Sequence, residues 1–483
     1  MAERRRKAEP RPARSRPARN PGAGTCVAAG VSDPILLWLR QDLRLQDQPA
    51  LAAALEEGRV IPVYVLDDDT PGEWRIGGAQ RWWLHHSLAA LSASLEARGS
   101  RLILRRGRAD RVLGDLLAET GAKRIHALRH YEPWWRALEN NVGDALCLHD
   151  GNHLAPLDHV RTGSGAPYSI YSAFWRALQP HLPPGTPLPA PDRIPAPDRW
   201  PQGDELASWQ LLPTKPDWAS AFGTEWTPGE AEALNKAEAW AEDVDRYEET
   251  RNLPAEPGTS QLSPHLHFGE ISARALYDRI AGRPQAEKFI KELAWRDFTD
   301  GVILSRPDYA ARNGREKYDR LRWRTGAAAD RDLAAWQKGL TGYPIVDAGM
   351  RQLWAIGWMH NRVRMITASF LVKHLLIDWR AGERWFWDCL VDADYGNNAV
   401  NWQWIAGTGI DANMFSRIMA PLTQSEKFRA GDYIRRWIPE LAHLPDEAIH
   451  DPEATGQRPG AYPPKIIGHR EARERALNAA RSL

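Results

Sequence analysis

Between Asp392 and Trp404 the chain reads DADYGNNAVNWQW, which sets two carboxylates, three asparagines and two indoles within 13 residues. Carboxylates and amides can hold an electron-poor heterocycle. Indoles can stack on a planar ligand or pass single electrons, and a folded core needs no such mixture. The chain carries 23 Trp, so any single one is first a core residue. Three other segments hold chemistry-bearing residues. In Gly258–Pro264 (GTSQLSP) small hydroxyl residues precede a helical stretch, where they either cap it or bind a phosphate. In KFIKELAWRDFT (288–299), Glu292, Trp295 and Arg296 stand at i, i+3 and i+4 and share one helical face. That face is either a salt-bridged surface or a pocket wall. In WMHNRVRM (358–365), Asn361 and Met365 are helical neighbours, and Arg362 and Arg364 lead into an apolar helix that Trp379 ends. Those arginines need partners, for which Asp392 and Asp394 are candidates, as a functional or a purely structural pair.

The elements that must position these residues fall into two kinds. Ile35–Arg40, Val60–Leu66, Arg101–Arg105, Lys123–Leu128 and Ala145–His149 read as short buried strands, with amphipathic stretches such as 78–98 and 109–120 between them. Alternation of this kind predicts an α/β doubly wound parallel sheet. Gln41-Asp42-Leu43-Arg44 follows the first strand, so the dinucleotide-binding glycine fingerprint is absent. Eight prolines in 183–201 mark a linker or an extended segment. Beyond about residue 230 helical periodicity takes over, at 231–250, 284–303, 344–356, 359–377 and 382–391, and predicts an all-α second half.

Mean hydropathy is −0.53 and no apolar run reaches membrane-spanning length. Cys26, Cys147 and Cys389 are scattered and odd in number, which suggests no disulfide framework and no zinc site and fits a reducing cytoplasm. Net charge is +1; eight Lys or Arg against two Glu in residues 1–20 give that segment +6, leaving −5 for the rest. Nucleic-acid binding by the folded part therefore needs a local basic patch. Residues 1–33, rich in Arg, Pro and Ala, read as a disordered basic tail. The expected division is 34–165 for the α/β domain, 166–229 for the linker and 230–475 for the helical domain.

Together, WLRQDLRLQDQPAL (38–51), GTSQLSPHLHFGEIS (258–272), ELAWRDF (292–298), TGYPIVDAGMRQL (341–353), GWMHNRVRMITASFLVKHLLIDW (357–379) and DADYGNNAVNWQW (392–404) resemble the photolyase/cryptochrome family. Within it they are most similar to bacterial, class I-like photolyases of cyclobutane pyrimidine dimers. The resemblance spans roughly residues 33–475. It implies an antenna domain joined by a long linker to an FAD-binding helical domain, and DNA repair by electron transfer from photoexcited reduced FAD to a flipped-out dimer. It assigns to FAD Tyr247, Thr259, Ser260, Gln261, Leu262, Ser263, Phe289, Arg296, Asn361, Arg364, Asp392, Ala393, Asp394 and Asn398. It assigns to the lesion and DNA Arg251, Glu292, Trp295, Asn361, Arg362, Met365, Trp404 and Gln424, with Glu292 and Asn398 as the catalytic pair. Trp402, Trp379 and Trp323 match the family's electron relay. Tyr131-Glu132 resembles a folate-contacting segment, so Glu132 is the antenna candidate, with methenyltetrahydrofolate as the second chromophore and deazaflavin as the alternative.

Asn398 bears most on the choice within the family, because plant cryptochromes place an acid there. His360-Asn361 stands where animal cryptochromes and (6-4) photolyases carry two histidines. The short stretch after the helical segments reads against a partner-recruiting receptor. The expectation is a monomeric, cytoplasmic, nucleoid-associated bacterial enzyme acting on dimer-containing DNA, with no metal and no membrane association. A blue-light photoreceptor without repair is the alternative. A nucleotide binder of the adenylyl-transfer or electron-transfer-flavoprotein kind is what the sheet alone would suggest.

Overall fold

The computed structural model describes residues 33–481 except 413, together with residue 483. The expected tail, 1–33, lies almost wholly outside the described residues. Five parallel strands form one sheet: β1 (Pro34–Leu39), β2 (Arg59–Leu66), β3 (Ile103–Arg106), β4 (Ile125–Leu128) and β5 (Leu146–His149), in the order β3-β2-β1-β4-β5. The pleat sends Leu36 and Trp38 to one core, and Ile35, Leu37 and Leu39 to the other. Helices α1 (Pro49–Glu57) and α2 (Gly78–Glu96) cover the second face. Helices α3 (Ala109–Thr120) and α4 (Pro133–Val142) cover the first. A sheet buried on both faces explains why its strands read as unbroken apolar runs.

The strand order reverses between β1 and β4, where an open parallel sheet offers its ligand crevice. Here Arg40 fills it. Its guanidinium lies 4.2 Å from the Trp38 ring and 5.4 Å from that of Trp135, pairs with Glu139 at 2.8 Å, and donates to the Leu128 carbonyl.

Residues 183–201 contain no helix or strand, but the preceding part of the expected linker holds a helix, Tyr171–Leu178. The helical half is as expected, with two differences. The stretch expected at 359–377 is a helix, Asn361–Ser369, followed by a π-helical turn, Phe370–His374. Trp379 does not end that helix. It opens the next one, Trp379–Cys389, because the Asp378 carboxylate caps it by accepting from the Arg380 N–H at 3.0 Å. Cys389 is a buried free thiol. No helix among the described residues is long and apolar enough to cross a membrane.

The sheet half grips the helical half through the loop after β1. Arg44, fully buried, donates to the carbonyls of Gly151 and Gly269. Gly269 has φ +65°, and a side chain there would collide with the backbone of Gln41 and Asp42. Glu270, also fully buried, accepts from Trp83 on α2 at 3.1 Å and from the Gly229 N–H at 2.8 Å, and meets His265 Nδ1 at 2.5 Å. The segment 259–272 is therefore held from outside the helical half.

Candidate functional site

A cavity of about 450 Å³ opens in the helical half. Its wall begins at Tyr247 and the turn Thr259–Ser263. The hydroxyls of this turn do not cap the following helix, whose N-terminus has no side-chain cap. Ser260 Oγ instead accepts from the Leu262 N–H at 3.2 Å, with Gln261 in the left-handed region at φ +53°. Ser263 Oγ receives the Trp358 indole N–H at 3.3 Å. The helix Glu287–Ser305 adds Phe289, Glu292, Trp295 and Arg296 from one face, as their spacing predicts. Asn361, Arg364 and Met365 enter from the helix that His360 caps. Asp392, Ala393, Asp394, Asn398, Trp402 and Trp404 close the wall from the segment that opens the helix Tyr395–Ala406.

The charges are arranged in pairs. Arg364 Nη2 meets Asp392 Oδ2 at 2.8 Å, and its Nε donates to the Met359 carbonyl at 2.7 Å. Asp392 Oδ1 is buried and meets no donor among the described residues. A buried acceptor left open beside a cavity fits a ligand that brings its own N–H or O–H. Asp394 caps its helix, accepting from the Asn397 N–H at 2.7 Å and its side-chain amide at 2.9 Å. Burial pushes the Asp394 carboxyl up, yet His267 (3.9 Å away), the Asn397 N–H and Arg296 together hold it well below the usual carboxylate range. Behind Asn398 stands Glu383, 1% exposed, with neither carboxyl oxygen partnered among the described residues. Burial pushes that carboxyl well above its usual range. Among the described residues no cluster of His, Cys, Asp or Glu is placed to hold a metal ion.

All fourteen residues expected at the cofactor line this one cavity, as do Glu292, Trp295, Met365 and Trp404 from the DNA set. Arg251 and Arg362 lie outside the lining: Arg251 pairs with Glu292, while Arg362 holds the Asn252 side-chain carbonyl through Nε at 3.1 Å. The charges of Arg251 and Arg417 act on Arg362, so three guanidinium groups gather around Arg362, and one of them, Arg251, holds Glu292. Gln424, on the helix Pro421–Lys427, is not brought to the cavity. Trp402 reaches it, but the rings against Trp402 are Phe386 at 4.9 Å and Trp336 at 6.3 Å; Trp379 is not among its ring neighbours. Trp379 is buried and donates to Asn313 at 3.0 Å, and Trp323 lies against Phe415 at 6.4 Å. Glu132 is buried away from the cavity, and burial with the charges of Asp300 and Asp394 pushes it up to about 8.

Sequence reasoning missed His267, Trp358, Phe386, Asn397, Asn401 and Glu383. Asn397 and Asn401 stood inside the opening motif, one helical turn apart. For Glu383 and Phe386 no local signal existed, since their role comes from the packing of two helices.

Two family models match the chain: "DNA photolyase" over residues 35–192 and "FAD binding domain of DNA photolyase" over residues 289–482. A deoxyribodipyrimidine photo-lyase of Agrobacterium fabrum is 47% identical, over 92% of this chain and 97% of its own length. One from Streptomyces griseus is 40% identical, over 92% and 98%. The crystal structure of a bacterial class III photolyase from Agrobacterium tumefaciens superposes with a TM-score of 0.88 at 46% identity, covering 95% of this chain and 99% of that one.

Proposed function

From the premise that this chain belongs to the photolyase/cryptochrome family, as a DNA photo-lyase with an FAD-binding domain, we propose that it repairs cyclobutane pyrimidine dimers in light. Likeness to a structure described as class III favours that subgroup over the class I-like one that the motifs suggested. FAD, when bound and reduced, supplies a light-absorbing donor of single electrons.

The observation that carries the reading is one cavity with two kinds of wall. Asp392, Asp394, Arg364 and Asn398 form a polar wall suited to the edge of a heterocycle. Glu292, Trp295, Met365 and Trp404 form a second wall, with Arg251 and Arg362 nearby. In this reading Arg364, steadied by Asp392, favours a negatively charged ring, and Asp394 takes its N–H edge. Asn398 tunes the ring nitrogen nearest to it. Glu292 hydrogen-bonds the base edge of the dimer, which Trp295 and Trp404 flank. Arg251, Arg362 and Gln424 take DNA phosphates. A distorted dimer costs less to extrude than a paired base, by a few kcal/mol, and this supplies selectivity. Trp402, Trp379 and Trp323 bring electrons to oxidised FAD. We also assign folate as antenna near Glu132, with deazaflavin as the alternative, a division at residues 165 and 229, and a monomer acting on the bacterial nucleoid.

The test is a thymine-dimer oligonucleotide illuminated with blue light in the presence of the fully reduced protein. Light-dependent loss of the dimer is expected. Flavin-loaded protein that leaves the dimer intact would replace this reading with the photoreceptor; protein with no flavin absorbance would sink both.

A further inference from the structure

Asn397 and Asn401 line the cavity, yet the proposed repair gives neither of them a part. They stand on the helix Tyr395–Ala406, with Asp394 at its N-cap and Trp404 in its last turn. Asp394, Asn397, Asn401 and Trp404 follow one another at steps of three, four and three residues, which places them on one helical face. All four line the cavity, so this face is turned to it. It runs as a stripe from the carboxylate given to the heterocycle edge to the indole given to the dimer.

Hydrogen bonds along the stripe orient its amides. Asn397 Nδ2 donates to Asp394 Oδ1 at 2.9 Å, and Asn401 Nδ2 donates to the Asn397 backbone carbonyl at 2.8 Å. Each amide thus turns its nitrogen toward the start of the helix, and neither side-chain oxygen meets a donor among the described residues. Asn397 is half-buried, whereas Asn401 is exposed and so stands at the opening. An asparagine that bonds the carbonyl four residues back also occurs on ordinary helix surfaces. Here that surface is a cavity wall, and another helix, Glu287–Ser305, brings a second acceptor, Glu292, to the same cavity. A thymine dimer has two rings, each with one imide N–H, and a donor left unmatched where water is excluded costs affinity. Two donors call for two acceptors, and the repair reading names only Glu292. Asn361, the other exposed amide of the lining, has no side-chain hydrogen bond among the described residues to orient it.

We infer that Asn401 is the contact residue for the second ring of the dimer: its side-chain oxygen accepts the imide N–H of the ring that Glu292 does not bind. The inference rests on the repair reading given above and adds to it a preference for rings that carry an N–H at that position. Asn397 acts through Asn401, as a positioning residue whose backbone carbonyl holds the amide nitrogen and leaves the oxygen free.

The test is binding in the dark, read by fluorescence anisotropy, of the full, flavin-loaded chain to oligonucleotides holding one thymine dimer. The 5′ ring, the 3′ ring or neither is methylated at the imide nitrogen. Each methyl group is expected to weaken wild-type binding roughly three- to tenfold, the worth of one hydrogen bond. Asn401→Ala is expected to bind the unmethylated dimer more weakly by a similar factor and to become indifferent to the methyl group on one ring while staying sensitive to it on the other. Glu292→Ala is expected to show the reverse pattern. Asn401→Asp, which keeps an acceptor at that place, is expected to stay sensitive at both rings. A merely structural role for Asn401 would weaken binding of all three oligonucleotides alike and leave both sensitivities in place. That result overturns the inference, as does loss of sensitivity at the same ring in Asn401→Ala and Glu292→Ala. Blue-light splitting of the unmethylated dimer by reduced wild-type protein is followed in parallel. Its absence sinks the repair reading, whereas splitting together with unchanged sensitivities in Asn401→Ala sinks this inference alone.

Discussion

The side-chain amide nitrogen of Asn398 donates to the backbone carbonyl of Glu383 at 3.0 Å. That bond uses one of the two N–H groups of the amide and ties its nitrogen end to the protein. The Asn398 oxygen meets no donor among the described residues, so the cavity is presented with an acceptor whose orientation is set from behind.

Replacing Asn398 by Asp should therefore do more than alter one contact. A carboxylate about 4 Å from an anionic ring opposes it by about 4 kcal/mol in a partly buried site. The flavin potential should fall, and fall further as pH rises and the new carboxyl ionises. Dimer-splitting yield should drop with it. Spectroelectrochemical titration across pH checks this; a potential that matches wild type at every pH would remove Asn398 from its assigned role.

Glu292 and Arg251 form an ion pair in which the Glu292 side chain is 39% exposed. Glu292→Ala should keep most FAD and much of the DNA affinity, because it frees Arg251 for phosphate, while the quantum yield of splitting falls several-fold. Arg251→Ala should weaken DNA binding evenly across sequences and reduce the slope of log affinity against log salt by about 1. Filter binding across a salt series, with a yield measurement on each variant, separates the two roles.

What could be read from the chain beforehand follows from how local each signal is. Glu292, Trp295 and Arg296 share a face by spacing alone, and the structure puts all three in the cavity wall. The pairing of Arg364 with Asp392 was foreseeable because two arginines leading into an apolar helix demanded a partner. The strands were legible because both faces of the sheet are buried. Trp379 was misplaced because Asp378 and Leu376, with φ +52°, break the helix without Gly or Pro. Arg40 in the sheet crevice, Glu383 behind Asn398 and Trp336 against Trp402 were beyond reach, since each contact joins segments far apart in sequence.

Gly382 lies under the Trp402 ring, and a β-carbon there would overlap both that ring and Leu371. Trp402 cannot retreat, because Phe386 and Trp336 back it. Gly382→Ala should push the indole toward the cavity. The expected cost is about 1–3 kcal/mol of stability, as for other overpacked cores, with a loss of FAD affinity beyond what the change in Tm explains. Flavin release measured against apoprotein Tm checks the split; equal losses in both would mean that Trp402 does not move.

His360 caps the helix that carries Arg364: its Nδ1 accepts from the Arg362 N–H at 3.1 Å, which requires a neutral ring. Burial first, then the charges of Arg362, Arg364 and Arg251, push His360 down to about 3. An unfolded histidine takes up its proton near pH 6.5. Protons therefore favour the unfolded chain throughout the interval between the two values. The contribution of His360 to stability is complete above pH 6.5 and is lost as pH falls toward 3. His149, pushed down to about 4, and His374, to about 3, act in the same direction. The denaturant midpoint should fall steadily as pH drops from 7 to 4. His360→Asn keeps an acceptor at the cap and removes one titrating group, so its midpoint should fall less steeply while staying close to wild type at pH 7. A variant with the wild-type slope would show that His360 does not carry the acid sensitivity.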